Sequence, residues 1–190
     1  MVAQPIATMS EEEYLAFERP HEERHEFRDG QVYEMPHITM PHRRIVFDTA
    51  MQLHGQVRAT NCEVLFTNMR VKVLATGMYA YPDIIIFCGE SRLEDGHEDT
   101  LLNPTVLIEV LSPASEGYDR GTKWRHYQEI AALQEYLLIA HHVPMIEHYV
   151  RLDDGGWCYR TTRGLEASVE LPSVGCTLRL AEVYREVAFE

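Results

Sequence analysis

Three ionisable residues stand out in this chain: Asp83 near the start of YPDIIIFC, Glu109 within TVLIEVLS, and Lys123 at the opening of TKWRHYQEI. An ionised carboxylate inside a strand-like apolar run is costly unless something compensates its charge. Two such acids that converge repel each other, so one must hold a proton or a cation must lie between them. A hard divalent cation with oxygen ligands meets that need, and a nearby lysine can then help activate water. The chemistry open to this trio is metal-dependent phosphodiester hydrolysis. Each residue also has a plainer reading. Asp83 could cap a strand, Glu109 could pair with a buried arginine, and Lys123 could sit on a solvent-facing helix whose buried stripe is Trp124 and Ala131.

The elements that must position the trio are readable in outline. Ser10 and Glu13 form a capping box with Met9 and Tyr14 as its staple, which predicts a helix over 11–17, ended by Pro20. HEFRDGQVYEM predicts a hairpin turning at Asp29-Gly30. Pro36 and Pro41 bracket a loop, and Ile45, Val46, Ala50, Leu53 and Val57 follow at helical period. CEVLFT, MRVKVL and YPDIIIFC read as strands, with Pro82 suited to a strand start. RLEDGHEDTLLNP reads as a solvated acidic connector. TVLIEVLS is a strand, a helix is expected over 122–132, and EYLLIA, MIEHYVRL and WCYRTTR are strands. The tail, SVELPSVGCTLRLAEVYREV, reads as a short strand and a terminal helix. Residues 1–190 therefore make one mixed α/β domain.

Composition sets limits. The chain of 190 residues carries a formal charge of −13, which argues against indiscriminate binding to a polyanion. Nine acids against three arginines fall in residues 1–34, whereas Arg43, Arg44, Arg70, Lys72, Arg120, Lys123 and Arg125 could form a local basic face. No apolar stretch approaches a membrane span. The N-terminus lacks a secretory signal pattern. Cys62 and Cys88 read as small buried hydrophobes in a reduced, cytoplasmic setting. His21-Glu22-Glu23-Arg24-His25 matches H-E-x-x-H, but Pro20 and the Asp29-Gly30 turn leave little room for the helix a zinc protease needs, so that reading is a minor alternative.

The sequence resembles the PD-(D/E)XK nuclease superfamily and is more closely similar to the Uma family of restriction-endonuclease-like bacterial proteins. The matching stretches are MSEEEYLAF, HEFRDGQVYEM, the helix start at His42-Arg43-Arg44-Ile45, YPDIIIFC, NPTVLIEVLSPAS, YDRGTKWRHYQEI, QEYLLIA and GCTLRLAEVY, nearly the whole chain. The resemblance implies a restriction-endonuclease-like core, a mixed central sheet flanked by helices. It implies Asp83 and Glu109 as ligands of Mg²⁺ or Mn²⁺, the Val110 carbonyl as a further ligand, and Glu26 as an acid from an early element. The superfamily's usual lysine position holds Leu111 here, which implies the migrated variant with Lys123 reaching in from a helix. Tyr127 and His42 are then supporting residues, and Arg43, Arg44, Lys72, Arg120 and Arg125 are candidate nucleic-acid contacts. The expected activity is a DNA endonuclease, working as a homodimer by analogy with enzymes that cut both strands. The alternative is a noncatalytic nucleic-acid or protein-binding module that keeps the fold, suggested by the acidic composition and the missing lysine at position 111.

Overall fold

The computed structural model describes residues 4–35, 37–66, 68–94 and 96–189. In chain order it contains β1 (Ala7–Thr8), α1 (Glu11–Glu18), β2 (His25–Arg28), β3 (Gln31–Glu34), α2 (Met40–Val57), β4 (Cys62–Phe66), β5 (Arg70–Val73), β6 (Met78–Ala80), β7 (Ile84–Cys88), β8 (Thr100–Leu101) and β9 (Val106–Leu111). There follow α3 (Glu116–Tyr118), a π-helical turn (Asp119–Lys123), α4 (Trp124–Tyr127), β10 (Glu135–Ala140), β11 (Met145–Arg151), β12 (Trp157–Arg163), β13 (Ser168–Leu171), β14 (Cys176–Arg179) and α5 (Leu180–Val183). One six-stranded sheet runs β1-β3-β2-β6-β5-β8, a second runs β12-β11-β10-β9-β7-β4, and β13-β14 form a separate hairpin.

The second sheet positions the chemistry. Its strands β9 and β10 are parallel, so residues 112–134 must cross back over one face, and the helical segment does so. Residues of β7 and β9 alternate between two apolar layers. Ile84, Ile86, Val106 and Ile108 pack against Ile45, Leu53 and Val57 of α2 and against the β13-β14 hairpin. Ile85, Phe87, Leu107 and Leu111 face Val71, Val73 and Met78 of the first sheet, together with Tyr127, Tyr136 and Leu138. With both faces covered, the two strands read as unbroken apolar runs, which is why a charge within one is informative.

Several local expectations hold. Both halves of the Ser10–Glu13 capping box form. Asp29 and Gly30 both take positive φ, 50° and 72°, as the tight β2-β3 turn requires. Others are corrected. Pro41 lies in the first turn of α2, where its missing N–H costs nothing, behind the cap Thr39; Pro36 lies outside the described residues. The segment expected to be helical over 122–132 runs over 116–127 instead. Ala131 is exposed and Lys123 is buried on that element. The tail forms a two-stranded hairpin before its short helix, because Val169, Leu171, Cys176 and Leu178 close the layer under α2. Cys62 and Cys88, opposite each other on β4 and β7, are joined as a disulfide, not held as separate thiols.

The acidic connector is also more than solvated chain. It contributes β8, a buried Glu94 bonded to Lys72, and Asp99, whose carboxylate meets Arg19 Nε at 3.0 Å and Arg70 Nη2 at 2.5 Å. Partial burial pushes the Asp99 carboxyl up, but Arg19 and Arg70 outweigh it and hold it at about 2. An unfolded aspartate titrates near ~3.9, so the folded group is the stronger acid. Its stabilisation is complete above that value and is lost as pH falls through about 2. Asp99→Asn is expected to flatten the acid limb of the stability curve, read by urea unfolding between about pH 5 and pH 2. Parallel curves for the two proteins across that window would contradict this assignment.

Candidate active site

Antiparallel pairing of β7 with β9 matches Ile84 to Ile108, Ile85 to Leu107 and Ile86 to Val106. One further step brings Asp83, just before β7, opposite Glu109. Asp83 Oδ2 accepts the Val110 N–H at 2.7 Å and lies 3.3 Å from His42 Nε2, so the first turn of α2 and the edge of β9 together fix the aspartate. Glu109 projects from the same face of β9 as Leu107 and Leu111, with 4% of its surface exposed.

Lys123 meets Glu109 from above the sheet. Its Nζ is 2.8 Å from Glu109 Oε1, 2.8 Å from Glu26 Oε1 and 3.7 Å from Asp119 Oδ1, and all four residues are buried. The Tyr127 hydroxyl donates to the same Glu109 oxygen at 3.1 Å. Burial drives the Glu109 carboxyl well above the usual range; Lys123 opposes this, while Asp119 and Asp83 add to it. Burial works against the Lys123 charge, but Glu109 and Glu26 hold its ammonium well above the ordinary value. Asp119 is pushed up to about 6, chiefly by burial and against the pull of Lys123. The cluster thus packs three carboxyl groups around one ammonium, with the Asp83 carboxylate beside them, an excess of acidic groups that favours a further cation.

The donor set fits a hard divalent ion. Among the described residues, the hydrogen bonds and ion pairs to the two acids go to Asp83 Oδ2 and Glu109 Oε1, which leaves Asp83 Oδ1 and Glu109 Oε2 without a protein partner. Asp83, Glu109 and Val110 all line a cleft of about 910 Å³. No group of three or more His, Cys, Asp or Glu among the described residues closes on one point. Two carboxylates in a roomy cleft suit Mg²⁺, which keeps waters and takes substrate oxygens, better than an all-protein zinc cage.

The structure thus brings together Glu26, Asp83, Glu109, Lys123, Tyr127 and His42, from five separate stretches of chain. None of the candidate nucleic-acid contacts Arg43, Arg44, Lys72, Arg120 and Arg125 lines the cleft. Lys72 is committed to Glu11 and Glu94, and Arg120 to Glu147 and Glu116, because an acidic chain offers carboxylates nearby. His21 lies in irregular chain before a bend at Glu22-Glu23 and His25 lies in β2, its Nδ1 2.9 Å from Glu18, so the H-E-x-x-H pair does not share a helix face. Sequence reasoning missed Asp119, although its four-residue spacing from Lys123 was a usable signal. It also missed Arg28 and Tyr118, both in the cleft wall.

Comparison with known proteins gives concordant results. A family model, Uma2, described as "Putative restriction endonuclease", matches residues 11–181. "Uncharacterized protein slr1290" of Synechocystis sp. (strain ATCC 27184 / PCC 6803 / Kazusa) is 31% identical over 185 residues, covering 97% of this chain and 96% of that protein. "Uncharacterized protein sll1609" of the same organism is 29% identical over 170 residues, covering 90% and 96%. Among solved structures, a "putative nuclease belonging to DUF820" from Anabaena variabilis ATCC 29413 superposes with a TM-score of 0.77 at 18% identity, covering 93% of this chain and 98% of that one. At that identity the likeness speaks for the fold, a restriction-endonuclease-like α/β architecture.

Proposed function

This chain belongs to the Uma2 family, described as "Putative restriction endonuclease", and from that premise we propose that it hydrolyses phosphodiester bonds of DNA with the help of a bound divalent ion. The observation that carries the reading is the convergence of Asp83 and Glu109 in one cleft, with the Lys123 ammonium 2.8 Å from Glu109. Asp83, Glu109 and the Val110 carbonyl would hold Mg²⁺ or Mn²⁺, which when bound supplies Lewis-acid polarisation of the phosphate and a more acidic water.

The chain's own residues do the rest. His42 and the Val110 N–H hold Asp83 in a fixed orientation. Tyr127 and Lys123 both engage Oε1 of Glu109, so its second oxygen would be the one to hold the ion. Glu26 anchors the ammonium from the opposite side, so Lys123 is placed to orient water or to offset charge developing on phosphate. A homodimer, which would let two clefts act on two strands, and a cytoplasmic location belong to the same proposal; sedimentation of the purified protein checks the former. No helix among the described residues is long and apolar enough to cross a membrane.

The test is Mn²⁺- or Mg²⁺-dependent cleavage of DNA by purified protein, compared with Asp83→Asn, together with calorimetric titration of the ion. Loss of both ion binding and cleavage in the variant is the expected result. Absence of divalent-ion binding in the unaltered protein would favour a noncatalytic binding module on the same fold.

A further inference from the structure

Three permanently charged cations are buried among the described residues: Arg28, Arg70 and Lys123. Arg70 lies against Asp99, and Lys123 against Glu26 and Glu109. Arg28, 8% exposed, has no carboxylate partner among the described residues, in a chain whose net charge is −13. A buried guanidinium without an anion is unfavourable unless something else compensates it. Part of the compensation is visible, since the rings of Tyr33 and Tyr118 lie 3.5 and 4.2 Å from its Cζ. Stacking of this kind covers the flat faces of the group and leaves its edge, with the N–H donors, for a planar or tetrahedral oxyanion. Arg28 belongs to the cleft wall, because it lines, with Tyr33 and Tyr118, the same cavity as Glu26, Asp83 and Glu109.

Position along the strand sets the distance from the reacting centre. Arg28 stands two residues after Glu26 on β2, so both side chains leave the same face, separated by a strand step of roughly 6.6 Å. That is about one nucleotide along a sugar–phosphate backbone. We propose that Arg28, held by Tyr33 and Tyr118, forms an anion subsite that binds the phosphate neighbouring the scissile one. The subsite rests on the nucleic-acid reading of the cleft, and it adds a cationic contact within the cleft wall itself. Binding of one phosphate here would set the register of the strand, so that the next phosphodiester reaches Asp83 and Glu109.

The experiment measures binding of a short fluorescent single-stranded oligonucleotide to metal-free protein by anisotropy, over a series of salt concentrations. Arg28→Gln is expected to weaken binding about tenfold and to reduce the slope of log K against log salt by about 0.7, one phosphate's worth. Arg28→Lys should restore the slope but only part of the affinity, since an ammonium lacks the two-pronged edge. An oligonucleotide with a neutral methylphosphonate scanned along its backbone should show one position where unaltered protein loses the same factor. At that position Arg28→Gln should lose nothing further. This arm needs no stable variant for its main readout. No binding by the unaltered protein, no sensitive position, or equal affinity for Arg28→Gln each overturns the subsite. Failure of the hydrolase reading looks different: metal-dependent cleavage is absent while the Arg28-dependent binding persists.

Discussion

Replacing Lys123 by methionine is expected to destabilise the protein by about 3–5 kcal/mol, with a matching drop in the urea midpoint. Lys123 is the cation at the centre of Glu26, Glu109 and Asp119, none of which is more than 5% exposed. Methionine keeps the stem's volume and removes only the charge, so loss of packing contributes little. Without the ammonium, the buried acids must take up protons or draw in water, and either response costs free energy at neutral pH. The double variant Lys123→Met with Glu109→Gln should recover a large part of the loss, because the acid left unpaired is then gone as well. A single variant as stable as the parent would mean that Lys123 is not the charge partner of these acids in solution.

Glu109→Gln is expected to separate folding from chemistry. Glutamine can still accept the Tyr127 hydroxyl, and Lys123 keeps Glu26 as its partner. Because burial already opposes the Glu109 charge, its removal should leave the melting temperature unchanged or slightly higher. Divalent-ion affinity should fall, and metal-dependent cleavage should drop by about a thousandfold, the scale of losing one preorganised electrostatic contact at a reacting centre. Cleavage persisting at parental rate in a purified, folded Glu109→Gln protein would end the hydrolase proposal.

What the sequence disclosed about this site follows from contrast. Asp83 and Glu109 are conspicuous because β7 and β9 are apolar on both faces, and the register that sets them opposite each other follows from antiparallel pairing. Asp119 has no such contrast; it sits in the polar run ASEGYDRG, and only the fold reveals that it is buried. Arg28 was hidden for the same reason, since a charged residue beside a hairpin turn ordinarily faces water. Sequence also supplies charges without their partners: Lys72 and Arg120 are paired with Glu94 and Glu147, which composition could not show. The hairpin β13-β14 was blurred by the short spacing of its strands, and β8 by the acidity around it.

The widened turn at Asp119–Lys123 has a consequence for how this site can change. Four residues of ordinary α-helix overshoot a full rotation by about 40°, whereas four residues of the wider coil, at roughly 4.4 per turn, fall short by a similar angle. The two errors nearly cancel, so positions 119 and 127 come round to one azimuth above β9, with 123 roughly 30° to one side. Excision of one residue there, Gly121 included, would let the turn tighten to ordinary α-helix, three steps of about 100° in place of four of about 82°, so the amine would swing by only roughly 30°. The wide turn at residues 119–123 therefore gives the site room to lose one residue without losing the phase of the helix that follows.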